Sequence, residues 1–236
     1  CTGNNNTAVG MRAAYANTSG TGNVAMGAYA LDANTTASYN TAIGYQALTD
    51  NTTGAYNVAV GNGALENNTT VDYNTGLGYY TLRANTTGQQ NTAVGSHALV
   101  SNTTGTGNTG LGFRALYSMT TSDYNVAVGY QTMYTSTTAH NNVAMGTNAM
   151  YLSTGAPYNV AMGVNAMYNN TTGYNNVAIG YEALEANTTG GNSVAVGYRA
   201  LEAATIGNNT AVGYEAMKVN TTGTYNCAFG QYALDA

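Results

Sequence analysis

Two cysteines, two histidines and a crowd of glutamates are the side chains of this sequence whose chemistry could reach beyond packing. Cys1 and Cys227 lie at opposite ends, and two cysteines define neither a disulfide scaffold nor a zinc site. His97 and His140 have no cysteine or carboxylate at ligand spacing. A metal or acid–base centre needs a convergent cluster, so both are expected to be structural. Glu182, Glu185, Glu202 and Glu215 fall close together in the last third. They could hold a cation weakly, and a solvated acidic strip is the favoured reading. The alternating Gly and Asp word of calcium-binding β-rolls is absent, so no structural calcium is expected. No catalytic, cofactor-binding or metal-binding residue is assigned, and the chain is expected not to be an enzyme.

Two further residue types recur often enough to weigh. Asn-Thr-Thr occurs at Asn34, Asn51, Asn85, Asn102, Asn187 and Asn220, among others. These are glycan acceptors in a eukaryotic secretory pathway and simple turns elsewhere; turns are favoured. Tyr45, Tyr130, Tyr181 and Tyr214 suit exposed β-surfaces, where they could also stack on sugars or on neighbouring filaments.

The elements that must carry these residues are set by a repeat. The words NTAVG, NVAMG and NTAIG recur from Asn6, Asn23, Asn40 and Asn57 onward to Asn226, at intervals of 17 residues with one of 16 between Ser193 and Asn209. The consensus is N-[TV]-A-[VILM]-G-x-x-A-[LM]-x-x-N-T-T-G-x-[YN]. It runs over residues 1–236 as a single solenoid domain without separate caps or linkers. The period suits one coil of a β-solenoid and is too short for helix-pair repeats, which need more than about thirty residues. A Gly in the fifth place of every copy and the Asn-Thr-Thr-Gly turn leave no room for a helix. The fold expected is all-β, a parallel β-solenoid (β-roll or β-helix) of about fourteen 17-residue coils.

Each column then receives a role. The large fourth-place residues (Val9, Met26, Ile43, Leu111, Ile179 and their equivalents) and the ninth-place Leu or Met are expected to form the buried spine. The first-place Asn and thirteenth-place Thr columns are expected to form ladders along the axis. The small third-place column, Ala8, Ala25, Ala42, Ala59, Ala127 and onward, is expected to be a lateral packing stripe if it faces outward. Charged residues and most tyrosines fall at the sixth, seventh, tenth, eleventh, sixteenth and seventeenth places, read as the outer surface.

Composition narrows the function. Only 6% of residues are charged, the net charge is −5, and the five basic residues lie far apart. A nucleic-acid groove or an anionic-membrane patch would need them clustered. No apolar run approaches the roughly 20 residues of a membrane span.

The word at Asn192-Ser193-Val194-Ala195-Val196-Gly197 resembles the NSVAIG-type repeat of YadA-like (Hep_Hag-type) heads of trimeric autotransporter adhesins. The stretch from Asn40 to Leu48 is similar to repeats of phage tail-fibre and other surface-fibre proteins. The family coil is shorter, and the sequence shows no heptad stalk or membrane-anchor segment. The resemblance implies stacked β-coils at a cell or virion surface, with binding and display as the task. It brings no catalytic residues, and it makes a surface glycan or host receptor the expected outside partner.

The reading is therefore a structural extracellular fibre or adhesin shaft that assembles with copies of itself, head to tail and in lateral or trimeric arrangements. Cys1 and Cys227 are the expected inter-subunit joint, because Cys1 would enter the coil in which Cys227 holds the second place. A lipid-modified Cys1 is the competing expectation. The alternative function is an ice-binding solenoid. Against it, the threonine pairs are adjacent (Thr52-Thr53, Thr86-Thr87), and neighbours on a strand point to opposite faces.

Overall fold

Each strand word is short, and its brevity decides what faces the core. The computed structural model describes residues 2–235. In it every NTAVG-type word becomes a three-residue strand, and no helix occurs among the described residues. The chain divides into two compact units, Cys1–Thr121 and Ser122–Ala236. The first contains β1 (Thr7–Val9), β2 (Val24–Met26), β3 (Thr41–Ile43), β4 (Val58–Val60), β5 (Thr75–Leu77), β6 (Thr92–Val94) and β7 (Thr109–Leu111). The second contains β8 (Val126–Val128), β9 (Val143–Met145), β10 (Val160–Met162), β11 (Val177–Ile179), β12 (Val194–Val196), β13 (Thr210–Val212) and β14 (Cys227–Phe229). Both units are parallel β-solenoids. Successive strands pair at equivalent places, with Ala8 opposite Ala25 in the first unit and Ala161 opposite Ala178 in the second.

The 16-residue coil keeps this register. Val194 of β12 pairs with Thr210 of β13. Before that pairing, Thr205 N–H donates to the Thr221 carbonyl at 3.1 Å and Asn208 N–H to the Gly191 carbonyl at 2.9 Å. The shortfall is absorbed between them, in the turn at Ile206 and Gly207, where the chain is free to take a shorter path.

Alternation along a three-residue strand sends the second and fourth places out and the third in. Ala25, Ala42, Ala59 and Ala127 are fully buried, and Ala8, on β1, is exposed. Met26 is 42% exposed, Leu111 44% and Ile179 38%. This corrects the fourth-place half of the expected spine and the expected stripe: the fourth-place column is outside, and the third-place alanines are core. The reason is space. The third place faces the eighth place of its own coil and the ninth-place side chain of the coil before. A Cβ on Gly76 would lie 2.9 Å from Thr81 Oγ1, and one on Gly110 would lie 3.3 Å from the Leu99 side chain. Only Ala or Gly fits there.

The ninth-place residues are the true apolar spine. Leu31, Leu48, Leu65, Leu82, Leu99, Leu116, Met133, Met150, Met167, Leu184 and Leu201 are all fully buried. They take the left-handed conformation, with φ of 55° at Leu31 and 52° at Met133. That conformation costs about 1–2 kcal/mol per residue. It turns the Leu31 N–H onto the Ala47 carbonyl of the next coil at 2.9 Å, while burial returns roughly 1.5–3 kcal/mol. The fifth-place glycine has a different cause. Gly44 has φ of 133°, and a Cβ there would sit 2.5 Å from the carbonyl oxygen of Gly61 in the next coil.

Candidate functional site

The most specialised chemistry of the coil lies in its asparagines, and it is spent inward. First-place asparagines are buried in nearly every coil. Asn40 Oδ1 accepts the backbone N–H of Asn57 in the next coil at 2.9 Å, and Asn40 Nδ2 donates to the Gly54 carbonyl at 2.8 Å. The expected ladder is present: its shorter bonds run from side chain to backbone, and in some coils the amides also bond to each other, as from Asn91 Nδ2 to Asn74 Oδ1 at 3.3 Å and from Asn142 Nδ2 to Asn125 Oδ1 at 3.2 Å. An amide-to-amide ladder exists at the twelfth place, which the sequence reading had treated as a turn. Asn34 Nδ2 donates to Asn17 Oδ1 at 2.9 Å, Asn68 Nδ2 to Asn51 Oδ1 at 3.0 Å, and Asn187 Nδ2 to Asn170 Oδ1 at 2.9 Å. Where the column changes residue it breaks. Asn102 Oδ1 is buried without a partner, because Met119 holds the equivalent place above it and cannot donate.

This ladder bears directly on the sequons. Asn34, Asn51, Asn85, Asn102 and Asn187 are buried, and each Nδ2 is engaged with the carbonyl three residues on. A glycan needs that nitrogen in solvent, so in the folded chain these sites serve as turns.

The threonine pairs behave differently from adjacent strand residues. The thirteenth-place hydroxyl bonds to the next coil's backbone, as in Thr52 Oγ1 to the Thr69 carbonyl at 3.0 Å and Thr86 Oγ1 to the Thr103 carbonyl at 3.0 Å. The pairs lie in a turn and not in a strand, so strand alternation does not apply, and Thr86 and Thr87 are both exposed. The expectation that these pairs lie on a strand is corrected.

The acidic crowd is organised around a cation that the chain supplies itself. Glu182, Glu185 and Glu202 can bring carboxylate oxygens within 4.8 Å of one another. Arg199 sits among them, its Nε 2.7 Å from Glu182 and 3.7 Å from Glu202. Glu185 is held above its ordinary carboxyl range, first by burial and then by repulsion from Glu182 and Glu202. Glu215 is removed from this group and pairs with Lys218 at 3.0 Å.

The histidines are not brought together. His97 lies among Tyr79, Tyr80 and Tyr117, with Nδ1 2.8 Å from Ser96 Oγ. Its pKa is lowered by burial and then by Arg114. His140 Nδ1 accepts the Asp123 N–H at 3.0 Å. Cys227 is free and exposed on β14, while Cys1 lies outside the described residues. A depression lined by Met217, Val219, Asn220, Thr222, Asn226 and Leu234 holds no ionisable side chain.

The tyrosines make continuous stacks at the coil spacing. Tyr39, Tyr56 and Tyr73 stack at 5.3 Å, Tyr134, Tyr151 and Tyr168 at 5.1 Å, and Tyr181, Tyr198 and Tyr214 at 5.1–5.2 Å. Tyr45 and Tyr130 are exposed in the same column as the last stack. The sequence reading missed the outward face of the strands. The signal was available: the fourth place accepts Val, Met, Leu, Ile and Phe, a freedom of volume that a close-stacked interior would not allow, while the third place never exceeds Ala.

No known protein family, curated protein or solved structure matches the chain. No helix among the described residues is long and apolar enough to cross a membrane.

Proposed function

We propose that this protein is a structural element of a cell or virion surface, a segment of an extracellular fibre or adhesin shaft, and that it does no catalysis. One observation carries the reading. The residues that recur from coil to coil are consumed in joining one coil to the next: Asn in two ladders that a few coils interrupt, Thr in a third, Gly for close approach and Ala with Leu or Met for the core. What remains for the outside is variable in type, and the acidic cluster there, Glu182, Glu185 and Glu202, is occupied by the chain's own Arg199.

Such an investment yields persistence of shape. Backbone N–H groups from the strand, the turns and the corners all reach carbonyls of an adjacent coil, as at Val24, Gly27, Tyr29, Leu31, Ala33 and Thr35. Stacking of further copies end to end belongs to the same reading, since the ladders use the same bonds in coil after coil and could be continued by another copy. The test is limited proteolysis with subtilisin, alongside immunogold microscopy on the source cells or virions. Protection of the repeats for hours and label at the surface are expected. Rapid cleavage within the coils, internal label, or turnover of a polysaccharide by the purified chain would overturn it.

A second reading, ice binding, gains from the corrected threonine geometry. Thr53, Thr87 and Thr104 are exposed in one column, at one per coil. Thermal hysteresis at micromolar protein would favour it, and its absence would remove it.

A further inference from the structure

All fifteen charged residues of the chain fall at the seventh, tenth, eleventh or sixteenth place, from Arg12 to Asp235. None falls at places one to six in any coil. Those places form the strand and its flank; the second and fourth columns are apolar or hydroxylic, and the sixth is uncharged, with Asn62 and Gln231 as its amides. The second place is Thr or Val, or Cys227 in β14, and the fourth is Val, Met, Ile, Leu or Phe. Met26, Ile43, Leu111, Met145, Ile179 and Phe229 stand more than a third exposed. Exposed tyrosines and Phe113 border them at the sixth place.

An exposed β-face of this kind, with neither charge nor proline to blunt it, is unusual for a solitary chain, whose surface normally mixes charges everywhere. We propose that this strand face packs against the same face of a second copy of the chain, sheet on sheet. Three observations select that occupant. The first is area. Seven strands at about 4.8 Å spacing, with a band about 15 Å wide, give on the order of 500 Å² per unit on each copy. About 1,000 Å² is then buried in total for one unit, which reaches the size of a specific interface. The second is self-complementarity. The face repeats every coil, so a copy related by a twofold axis finds Val and Met opposite Val and Met with no like charges opposed. The third is charge. The exposed face offers no cation to anchor an anionic lipid or polyanion, and the chain as a whole carries −5. The inference concerns lateral pairing and stands apart from the fibre reading, since either could fail alone.

The experiment uses the full chain in sedimentation equilibrium between 1 and 100 µM. The unaltered protein should sediment as two copies at the upper end. A double variant with one change in each unit, Ile43→Glu and Met145→Glu, should weaken pairing about 100-fold, because apposition would bury unpaired carboxylates. A control double variant, Thr87→Glu and Thr172→Glu, adds the same charge at exposed turns and should pair as the unaltered protein does. Circular dichroism confirms that each remains folded. A measurement that needs no variant runs beside it. Cys227 lies on the same face, so maleimide labelling of its peptide should slow about 10-fold across that concentration range. A monomer at 100 µM, a three-copy species, equal effects of both double variants, or a labelling rate independent of concentration would each overturn the proposal.

Discussion

At the scale of single residues, the coil separates size from burial. The largest aliphatic side chains of the strand are outside and the smallest inside, so the cost of a substitution cannot be ranked by hydrophobicity alone. Leu184→Ala should cost about 2–5 kcal/mol in chemical denaturation, because Leu184 is fully buried at the ninth place. Ile179→Ala, at an outward fourth place, should cost less than about 1 kcal/mol in the same assay. Comparable losses would restore the fourth place to the core. The asparagine ladder allows a gain to be forecast. Ser153 occupies the twelfth place, and its buried hydroxyl has no partner. Ser153→Asn would place an amide oxygen within reach of Asn170 Nδ2 above and an amide nitrogen near the Ala156 carbonyl. A stabilisation of about 0.5–1.5 kcal/mol is expected from the completed bonds, read as a higher denaturation midpoint.

At the scale of elements, the coil and its period were legible because they are written in spacing, whereas the three-residue length of the strands was not. Gly10, Gly27 and Gly44 recur at equal intervals for a backbone reason that any single coil would reveal. The inside and outside of the strand were harder. Hydropathy assigns Val, Ile and Leu to the interior, yet the coil is so flat that only Ala25 and its equivalents fit between opposing walls. The twelfth-place amides were hidden for the opposite reason, since Asn-Thr-Thr-Gly reads as solvent-facing turn chemistry although its Asn is core. Of the acids, the sequence showed their crowding but not Arg199 between them. Their burial and crowding, which outweigh Arg199 at Glu185, make a pH prediction. Glu185 has its folded pKa raised above the unfolded value near 4.5, so the folded chain binds the proton more tightly. Its ionisation therefore lowers stability as pH rises through the folded pKa, and the penalty is absent below the unfolded value. Glu185→Gln should raise the melting temperature at pH 7 and leave it unchanged near pH 3.5. A gain of equal size at both values would show that packing, not charge, is responsible.

At the scale of the whole molecule, stability in a solenoid is approximately a sum over neighbouring coils. The 16-residue coil shows that a turn can lose a residue while the strands stay paired, so what the stack protects is the strand register and not the chain length. Deletion of residues 58–74, one full period, joins Asn57 to Thr75 and leaves every column aligned. The product should fold, with a circular dichroism spectrum of the same shape and a slightly lower melting temperature. Deletion of residues 58–66, about half a period, would set apolar columns against charged ones and should abolish the cooperative melt. Equal behaviour of the two deletions would mean that the columns do not control the stack.

The tyrosine stacks give the chain an optical property. In each of three columns, phenol rings lie face to face at about 5 Å, with interplanar angles of 14° or less. Chromophores held so close and so nearly parallel share their excitation, and in a chiral array that sharing gives a signed, split band in near-ultraviolet circular dichroism. The chain has no tryptophan to mask it. Loosening of the coils along a stack would uncouple its rings and collapse the band, while far-ultraviolet signal from coils elsewhere persisted. The spacing of the coils can thus be followed by absorption of polarised light, summed over the three columns, with no label attached.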